Sequence, residues 1–335
     1  MNHVAVLGAG AGGCAAAAHL RLLGLNVALW NRTESRITSI RERGGIELFG
    51  DTKQTGFAEI RTVTTDMASV LKNADTVIVT VPASGHADVA RECARYIRDD
   101  QTVILNPGYM SSIEFSSIVG SIKRVRTRIA ETSCLTYTCR MTKPTEVMVF
   151  RTSRFILLSA FPGVHTEGIL ETLADAYAFV KPAINVFEAG LNNPNQIVHP
   201  TITILNAARI ESGEDFLFYK DGVTHSVAKL IEDVDNERLL ICKRMHFKEI
   251  TSPQRAYMSG HASPNSTIYD VYTRSEQLGK VKAPSSLSYR FLTEDIPYGL
   301  VMWSSLARAI GVATPTIDSM VTIASRLNRT DYWNT

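Results

Sequence analysis

The sequence predicts an α/β fold in which a doubly wound parallel sheet is followed by a second, mainly α-helical domain. In the first part of the chain, short runs of β-branched residues alternate with amphipathic stretches, as they do in βαβ units. Residues 76–81 are continuously apolar, which is typical of a strand buried on both faces of a parallel sheet. After about Phe187 the apolar residues recur at helical spacing. We therefore predict one domain over residues 1–187 and another over residues 188–335.

The elements predicted for the first domain alternate regularly along the chain. The expected strands are residues 3–7, 27–30, 76–81 and 102–105, and the expected helices are residues 11–23, 33–42, 85–98 and 166–179. Two further runs, residues 146–150 and 154–159, look like a pair of strands that closes the domain, and residues 184–187 look like a last short strand. This order predicts a largely parallel sheet covered by helices.

The second domain is predicted to consist of long helices. Residues 223–245, 296–310 and 314–327 have helical spacing, and the last of these runs begins with a favourable Thr-Pro pair. Residues 260–288 are polar and include two prolines, so we expect a long, partly ordered connection near a functional surface. The helix at 223–245 is compatible with packing inside the subunit or across a homodimer.

Composition and charge argue against several kinds of partner. The 335 residues carry a net charge of +2 without long runs of Lys or Arg, so no nucleic-acid or anionic-membrane partner is expected. No apolar run reaches the length of about 18 residues that a bilayer requires, and the N-terminus continues into a strand pattern instead of a signal peptide. The five cysteines fit no common zinc spacing. We expect no metal and interpret the cysteines as reduced thiols of a cytoplasmic protein.

A glycine motif joins the first strand to the first helix. The stretch after Leu7 reads GAGAGG, and Gly8, Gly10 and Gly13 match the pattern G-x-G-x-x-G. The first glycine permits a tight turn, the second lets the backbone approach a pyrophosphate, and the third lets helix and strand pack closely. The N–H groups around Ala11 at the helix start are then available to the phosphates. The motif in this position predicts a Rossmann domain that binds a nicotinamide dinucleotide.

The end of the second strand predicts which dinucleotide is bound. NAD-specific sites usually carry an acidic residue there for the ribose 2′-hydroxyl, whereas this chain has Asn31 followed by Arg32 and Thr33. Arg36 lies one helical turn further on, and a guanidinium pairs with the 2′-phosphate that a carboxylate would repel. We therefore predict a preference for NADP(H) over NAD(H). The alternative is that both arginines are solvated surface charges.

Two turns at the ends of buried strands are candidates for the nicotinamide end of the cofactor. Val81 and Pro82 end one strand, and Asn106 ends the next. Ligands of a doubly wound sheet bind beyond the carboxyl ends of its strands, so we expect these turns to line the cofactor site. As sequence alone, they are equally compatible with ordinary turns.

A histidine follows the point where the chain is expected to leave the first domain. Asn195 and His199 lie in an amide-rich stretch, and His199 directly precedes Pro200. A residue before proline is biased away from α geometry, so we expect a break or a start of helix here. Histidine is the side chain best suited to proton transfer near neutral pH. The alternative is a hydrogen-bonded structural histidine.

A second stretch supplies a cation and a carboxylate. Arg290 lies five residues before Asp295, just ahead of the helix expected from Ile296. Asp295 could accept a hydrogen bond from a histidine and fix its tautomer, as the aspartate of a catalytic triad does. Arg290 is suited to bidentate binding of a carboxylate. The competing interpretation is a helix-capping aspartate and a surface arginine.

These stretches together resemble one family, the opine dehydrogenases of the octopine/nopaline dehydrogenase group. The resemblance covers nearly the whole chain and is carried by the N-terminal GAGAGG, Asn195-(x)3-His199-Pro200, Arg290-(x)4-Asp295-Ile296-Pro297 and Glu131-Thr132-(x)4-Tyr137-(x)2-Arg140. Related 6-phosphogluconate and ketopantoate-type reductases have a catalytic lysine on the helix that enters the second domain. No lysine occurs between Lys181 and Lys220 here, and His199 occupies the stretch instead, which favours the opine group.

The resemblance implies roles for individual residues. His199 would be the catalytic acid and base, Asp295 its partner, and Arg290 the clamp for the carboxylate of a 2-oxo acid, with Asn195 and Tyr137 as further substrate-binding residues. The implied reaction is an NADPH-dependent reductive condensation of an amino acid amine with a 2-oxo acid such as pyruvate. Two alternatives stay open: a reductase of a 2-oxo or 3-hydroxy acid without an amine partner, and a non-catalytic nucleotide-binding sensor.

Overall fold

The computed structural model describes residues 1–334, and the chain divides into two compact units, Met1–Gly190 and Leu191–Thr335. The first unit contains every named strand of the described chain, and the second is helical. Within residues 1–334, no helix combines the length and the apolar character needed to cross a bilayer. The predicted fold class, a Rossmann-type sheet with a helical second domain, is confirmed.

The strands of the first unit form a large sheet and a small one. They are β1 (His3–Leu7), β2 (Asn26–Trp30), β3 (Gly45–Gly50), β4 (Gly56–Glu59), β5 (Thr62–Thr64), β6 (Thr76–Val79), β7 (Thr102–Leu105), β8 (Arg128–Thr132), β9 (Tyr137–Lys143), β10 (Glu146–Thr152), β11 (Ile156–Phe161) and β12 (Val180–Pro182). The large sheet has the order β12-β11-β8-β7-β6-β1-β2-β5. Its strands from β8 to β5 run parallel. The strand order reverses between β1 and β6, which is where a sheet of this kind binds its ligand.

The last strands of the first unit differ from the prediction. β10 and β11 do not pair with each other, because β10 belongs to the small sheet β4-β3-β10-β9 and β11 pairs with β8 in the large sheet. An apolar pattern identifies an extended segment but not its partner, which tertiary packing selects. The strand predicted at 184–187 is also wrong, since a helix begins at Val186. A short apolar run does not distinguish the two.

Helices cover the large sheet and build the second unit. Those up to the boundary are α1 (Ala11–Leu22), α2 (Thr38–Arg43), α3 (Met67–Leu71), α4 (His86–Tyr96), α5 (Ser112–Ile122), α6 (Thr166–Tyr177) and α7 (Val186–Leu191). The second unit has α8 (Pro194–Leu205), α9 (Ala207–Glu211), α10 (His225–Arg244), α11 (Ser252–Met258), α12 (Ile268–Arg274), α13 (Arg290–Thr293), α14 (Val301–Ala309) and α15 (Pro315–Leu327). A π-helix, Ile296–Leu300, precedes α14, so the helix predicted at 296–310 is irregular in its first turn.

The break predicted at His199 is absent, because His199 and Pro200 both lie inside the continuous helix α8. The side chain of Asn193 caps the helix start by accepting the N–H of Asn195 at 3.0 Å, and Pro194 occupies the first turn. All residues from 196 to 204 are buried. Tertiary packing therefore outweighs the backbone hydrogen bond that Pro200 removes.

The connection predicted at residues 260–288 contains a helix of its own. Helix α12 begins with a capping box, in which the side chains of Thr267 and Asp270 each accept a backbone N–H of the other residue. Tyr272 on this helix is buried and stacks on Tyr219, with ring centroids 5.6 Å apart. The segment is polar in sequence, yet its few apolar side chains anchor it to the second unit.

A buried carboxylate holds the turn that follows β7. Glu131, which is fully buried on β8, accepts the N–H groups of Met110 at 2.8 Å and Ser112 at 3.0 Å, and also the hydroxyl of Ser112. Tyr109 and Met110 have φ angles of 56° and 62°, in the left-handed region that costs energy for residues other than glycine. Burial raises the pKa of Glu131 from 4.5 to about 7, although the donors of Ser112 and Met110 oppose the shift.

We predict that Glu131 makes the folded protein less stable as the pH rises. Between pH 4.5 and about 7 this carboxyl is protonated in the folded chain and ionised in the unfolded chain, so the free energy of unfolding falls across that window. In the Glu131→Gln variant the fall should be smaller by about 3 kcal/mol, at 1.36 kcal/mol per pKa unit. Urea unfolding from pH 4.5 to 8 measures it, with the exposed Glu114→Gln as control. Equal pH slopes in the two variants would contradict the prediction.

Candidate active site

The glycine motif forms a turn packed tightly between β1 and α1. Gly8 has a φ of 120°, a conformation that favours glycine, and its N–H donates to the carbonyl of Trp30 at 2.8 Å. A Cβ at Gly13 would collide with the carbonyl oxygen of Gly8, so glycine is required where α1 approaches the turn. The hydroxyl of Thr80 donates to the same carbonyl at 3.1 Å, which ties the turn to the end of β6.

The start of α1 has room and charge for a phosphate. Gly10 is exposed, and a Cβ built there meets no described atom within 4 Å. Among the described residues, no side chain caps α1 and no acidic side chain lies in its first turn. The first N–H groups of the helix, from Ala11 onward, are therefore available, together with the positive end of the helix dipole. These residues fit the pyrophosphate of a nicotinamide dinucleotide.

Asn31 holds the glycine turn in place. Its Oδ1 accepts the N–H of Ala9 at 3.0 Å, and its Nδ2 donates to the carbonyl of Thr33 at 3.1 Å. Both polar atoms of the side chain therefore have partners within the protein. Asn31 also leaves the end of β2 without the negative charge that an aspartate would place there.

The two arginines that follow Asn31 are accessible to solvent. The side chain of Arg32 is 77% exposed, and its Nη1 lies 3.4 Å from the carboxylate of Asp88 on α4. An exposed pair of this kind contributes little free energy, so Arg32 can exchange this partner for another anion. Arg36, on the 3-10 turn that precedes α2, is exposed as well.

The two predicted turns at the sheet edge differ in what they offer. Val81 is half-buried beside Gly8, where its Cγ1 would lie 3.1 Å from an added Cβ, and Pro82 is exposed. Asn106 is buried: its Oδ1 accepts from the N–H of Thr136 and the hydroxyl of Thr132, and its Nδ2 donates to the hydroxyl of Thr136. The side-chain amide of Asn106 thus bonds within the protein, and the expected contact of this residue with the cofactor stays a prediction.

The second unit contains a buried chain of three hydrogen-bonded side chains. Nδ1 of His199 lies 2.8 Å from Oδ2 of Asp295, and Nε2 of the same ring lies 2.8 Å from the hydroxyl of Tyr219. His199 is 4% exposed, Asp295 1% and Tyr219 7%. The structure therefore brings together the histidine and aspartate that the sequence singled out and adds a tyrosine to them.

Burial and charge determine the protonation state of this chain. Burial lowers the pKa of His199, and the hydrogen bond and charge of Asp295 oppose the shift without cancelling it. The imidazole is therefore neutral at pH 7. A neutral ring beside an ionised carboxylate carries its proton on Nδ1 and donates it to Asp295, so Nε2 accepts from Tyr219. Burial also raises the pKa of Tyr219, which keeps its hydroxyl protonated.

Aromatic rings enclose the imidazole. The ring of Phe291 lies 4.0 Å from that of His199, centroid to centroid, and the ring of Phe218 lies at 6.0 Å. Phe218 and Phe291 also contact each other at 4.6 Å. This apolar surrounding excludes water from the imidazole–carboxylate pair and strengthens the interaction between them.

Arg290 begins helix α13 close to this chain. Its side chain is 49% exposed, and its Nε lies 4.0 Å from Oε2 of Glu294. Its positive charge helps to lower the pKa of His199, although less than burial does. Arg290 therefore combines proximity to the imidazole with a guanidinium that solvent can reach.

The other two predicted substrate contacts lie in different surroundings. Asn195 is half-buried in the first turn of α8, four residues before His199 and on the same helix face. Tyr137 is 2% exposed in the core of the first unit, where its hydroxyl bonds Nδ1 of His19 at 2.8 Å and the hydroxyl of Tyr177 at 3.2 Å. The hydroxyl of Tyr137 is thus engaged in the core, and its expected role in substrate binding stays a prediction.

Tyr219 is not among the site residues predicted from the sequence. It belongs to the aromatic run Phe216–Leu217–Phe218–Tyr219, whose rings predict a buried segment but whose spacing points to no partner. Its contact with His199 spans 20 residues and depends on the packing of the run beside α8. No local signal could have identified it.

Comparisons with known proteins agree on the class and on the family. The model of the NAD/NADP octopine/nopaline dehydrogenase α-helical domain matches residues 182–328, and the ketopantoate reductase PanE/ApbA model matches residues 4–133. An opine dehydrogenase of Arthrobacter sp. (strain 1C) is 35% identical over 329 residues, which is 98% of this chain and 91% of that enzyme. An octopine dehydrogenase of Pecten maximus is 24% identical over 78% of this chain and 72% of its own length.

Solved structures show the same fold. An octopine dehydrogenase in complex with NADH and L-arginine has a TM-score of 0.79 at 20% identity, with 98% of this chain and 90% of that chain covered. A yersinopine dehydrogenase with bound NADP+ has a TM-score of 0.73 at 14% identity, with 98% and 91% covered.

A Rossmann unit with a phosphate-binding turn, followed by a helical unit with a buried imidazole–carboxylate pair, defines a two-domain nicotinamide-dependent oxidoreductase. The chain belongs to the opine dehydrogenase family. It is accordingly an oxidoreductase that acts on a CH–NH bond, and the resemblance seen in the sequence is confirmed.

We predict that Gly10→Ala weakens dinucleotide binding without destabilising the fold. The added Cβ meets no described atom, so the melting temperature should stay unchanged, but the methyl group occupies the space into which the pyrophosphate must fit. The measurement is NADPH fluorescence titration beside thermal unfolding. Gly120→Ala, on the exposed face of α5 and equally free of contacts, is the matched control. Wild-type affinity in Gly10→Ala would show that the phosphate does not bind there.

Proposed function

We propose that this chain is an NADP(H)-dependent opine dehydrogenase, which condenses the amine of an amino acid with a 2-oxo acid such as pyruvate and reduces the imine. The observation that carries the proposal is the buried contact of His199 with Asp295 at 2.8 Å, in a chain of this family. In the proposed division of labour, residues 1–187 bind the dinucleotide and residues 188–335 bind the substrates.

The condensation needs a group that takes up and returns a proton. The amino acid enters as its ammonium ion, and one of its protons must reach the carbonyl oxygen as the nitrogen attacks. The nitrogen must then lose another proton, and the hydroxyl of the resulting carbinolamine must gain one to leave as water. The neutral His199 is the proposed group that takes up each proton from the nitrogen and returns it to the oxygen. Asp295 stabilises the imidazolium that exists between the two events. The reduced nicotinamide, when bound, supplies the hydride for the imine carbon.

Arg290 is the proposed clamp for the carboxylate of the 2-oxo acid. Its guanidinium can form two parallel hydrogen bonds with a carboxylate, and it is both solvent-accessible and near His199. Asn195 is the proposed second contact, because it lies on the helix face that carries His199. Together they would orient the carbonyl carbon for attack by the amine.

The proposed preference for NADP(H) rests on charge at the end of β2. Asn31 places no carboxylate there, and the guanidinium groups of Arg32 and Arg36 are exposed to solvent. A 2′-phosphate would find two cations in this segment, Arg32 and Arg36. The carboxylates of Glu34 and Asp88 are already paired with Arg41 and Arg91. The proposed preference therefore rests on the net positive charge that Arg32 and Arg36 add to this segment.

Two further expectations from the sequence stay predictions. The cysteine usage led to an expected cytoplasmic location, and the long helix α10 is compatible with packing inside the subunit or across a homodimer. Fractionation of the native host cell and measurement of molar mass in solution would decide them.

We predict that NADPH oxidation requires an amino acid and a 2-oxo acid together, with His199 needed for turnover. The test is a matrix of amino acids against 2-oxo acids, followed by NADPH absorbance, with each substrate also supplied alone. His199→Asn should lower kcat by roughly 10²–10⁴-fold while NADPH still binds, because a general acid and base is lost. His225→Asn, at an exposed histidine of the same unit, is the control.

The same matrix separates the rival functions. Full oxidation with a 2-oxo acid alone, or NADPH formation from a 3-hydroxy acid alone, would identify a reductase without an amine partner. No turnover with any pair would favour the nucleotide-binding sensor. Full activity of His199→Asn would remove His199 from its proposed role.

We predict that replacing Arg32 and Arg36 together with Ala weakens NADPH binding by roughly 10–100-fold and leaves NADH binding unchanged. A hydrogen bond to a charged group is worth about 1.5–3 kcal/mol, and only NADPH carries the 2′-phosphate. Fluorescence titration with both cofactors measures this. Arg95→Ala, an exposed arginine on α4 paired with Glu92, serves as control. Equal losses for the two cofactors would contradict the proposed preference.

A further inference from the structure

The imidazole of His199 has a partner on each ring nitrogen. Nδ1 contacts Asp295, Nε2 contacts the hydroxyl of Tyr219, and the side chain of His199 is 5% exposed. One ring face lies against Phe291 at 4.0 Å. Within the second unit, a proton that reaches Nε2 must therefore pass the position that the Tyr219 hydroxyl occupies.

We propose that Tyr219 is a catalytic residue, whose hydroxyl exchanges the proton with the substrate while His199 acts through it. The inference rests on the proposed condensation and names a further group in the same site. A phenol hydroxyl can donate one hydrogen bond and accept others at the same time. While it donates to His199, its oxygen can still accept the N–H of the attacking amine.

The position of the Tyr219 hydroxyl is fixed by packing. Its ring stacks on Tyr272 with centroids 5.6 Å apart and an interplanar angle of 15°, and Phe218 packs edge-on at 5.0 Å. Tyr272 is itself anchored by a 3.3 Å contact between its hydroxyl and that of Ser252. A hydroxyl held on a rigid aromatic stack can present its oxygen to a reacting atom with little loss of entropy.

Electrostatics favour a relay over a stable phenolate. Burial raises the pKa of Tyr219, the charge of Asp295 and the neighbouring Tyr272 and Tyr289 add to the shift, and Arg290 opposes it. The phenol therefore does not give up its proton unless its oxygen receives another. This is the behaviour required of the middle member of a proton relay.

The relay balances in both steps of the condensation. The amino acid enters as its ammonium ion, and the relay carries one of its protons to the carbonyl oxygen as the nitrogen bonds to the carbonyl carbon, which gives a hydroxyl group and a positively charged nitrogen. That nitrogen then loses a second proton to the oxygen of Tyr219 as the hydroxyl proton of Tyr219 moves to Nε2 of His199. His199 becomes an imidazolium facing the carboxylate of Asp295. For water loss the protons return: Nε2 gives one to Tyr219, and Tyr219 gives one to the hydroxyl of the carbinolamine as its C–O bond breaks.

In the competing model, the side chain of Tyr219 blocks Nε2 of His199 and must move away before the substrate reaches the imidazole. The two models predict opposite effects of removing one oxygen atom. Tyr219→Phe interrupts a relay, but it uncovers Nε2 if the hydroxyl merely blocks the ring. Tyr332→Phe is the matched control, because it removes the same atom from a buried tyrosine of the second unit whose hydroxyl accepts a hydrogen bond from Asn328.

The experiment measures amine-dependent NADPH oxidation by the full-length wild-type enzyme and the two variants. We expect Tyr219→Phe to lose about 10²-fold or more in kcat, with KM changed less than threefold and NADPH binding unchanged, and Tyr332→Phe to stay within threefold of wild type. Wild-type or higher kcat in Tyr219→Phe would overturn the role of Tyr219. Absence of amine-dependent activity in the wild type would instead overturn the proposed function.

A second measurement uses only the wild-type enzyme, so its result does not depend on whether Tyr219→Phe folds. In mixtures of H2O and D2O, a relay that moves two protons in one step predicts that the rate depends nonlinearly on the deuterium fraction of the solvent. Direct transfer between the substrate and His199 moves one proton and predicts a straight line, which would contradict the relay.

Discussion

The contact between the imidazole of His199 and the carboxylate of Asp295 is the constraint on which the second unit depends. Removing an ionised carboxylate from water costs several kcal/mol, which only well-placed hydrogen-bonding partners offset. Asp295 is 1% exposed, and the ring of its partner His199 lies against that of Phe291. The hydrogen bond with the imidazole offsets part of the cost of burying the carboxylate. In return, the carboxylate raises the pKa of the imidazole against the effect of burial. Replacing either side chain by an apolar one would remove this buried hydrogen bond from the other.

The distance between these two side chains is set by the way α8 meets the π-helix Ile296–Leu300. Gln196 lies one helical turn before His199, and a Cβ at Gly299 would lie 2.5 Å from its Cγ, so the two backbones approach closely only because residue 299 is glycine. The wider turn begins at Asp295, whose carbonyl accepts the N–H of Leu300 at 3.0 Å, five residues on. π-Helical turns occur frequently at functional sites, and this one begins at the proposed catalytic carboxylate.

How far the sequence predicts this protein depends on whether the signal is local. The glycine turn and the buried parallel strands follow from spacing within a few residues, whereas the choice of His199 and Asp295 rests on motifs that resemble those of the opine dehydrogenases. Strands β4 and β9 of the small sheet escaped prediction because each has only one buried residue and neither has a continuous apolar run. Tyr219 and the strand partner of β10 are determined by contacts distant in sequence. The preference against helix before Pro200 was overridden by the burial of α8.

The opposing influences on His199 also indicate how substrate binding would change its chemistry. Burial lowers the pKa of His199, Asp295 raises it, and the positive charge of Arg290 lowers it again. In the proposed mechanism the carboxylate of the 2-oxo acid pairs with Arg290, and that pairing would offset the guanidinium charge felt by the imidazole. The pKa of His199 would then rise when the substrate is bound. The imidazole becomes a stronger base at the stage where the amine must lose its proton, because the substrate has neutralised the cation that opposed protonation.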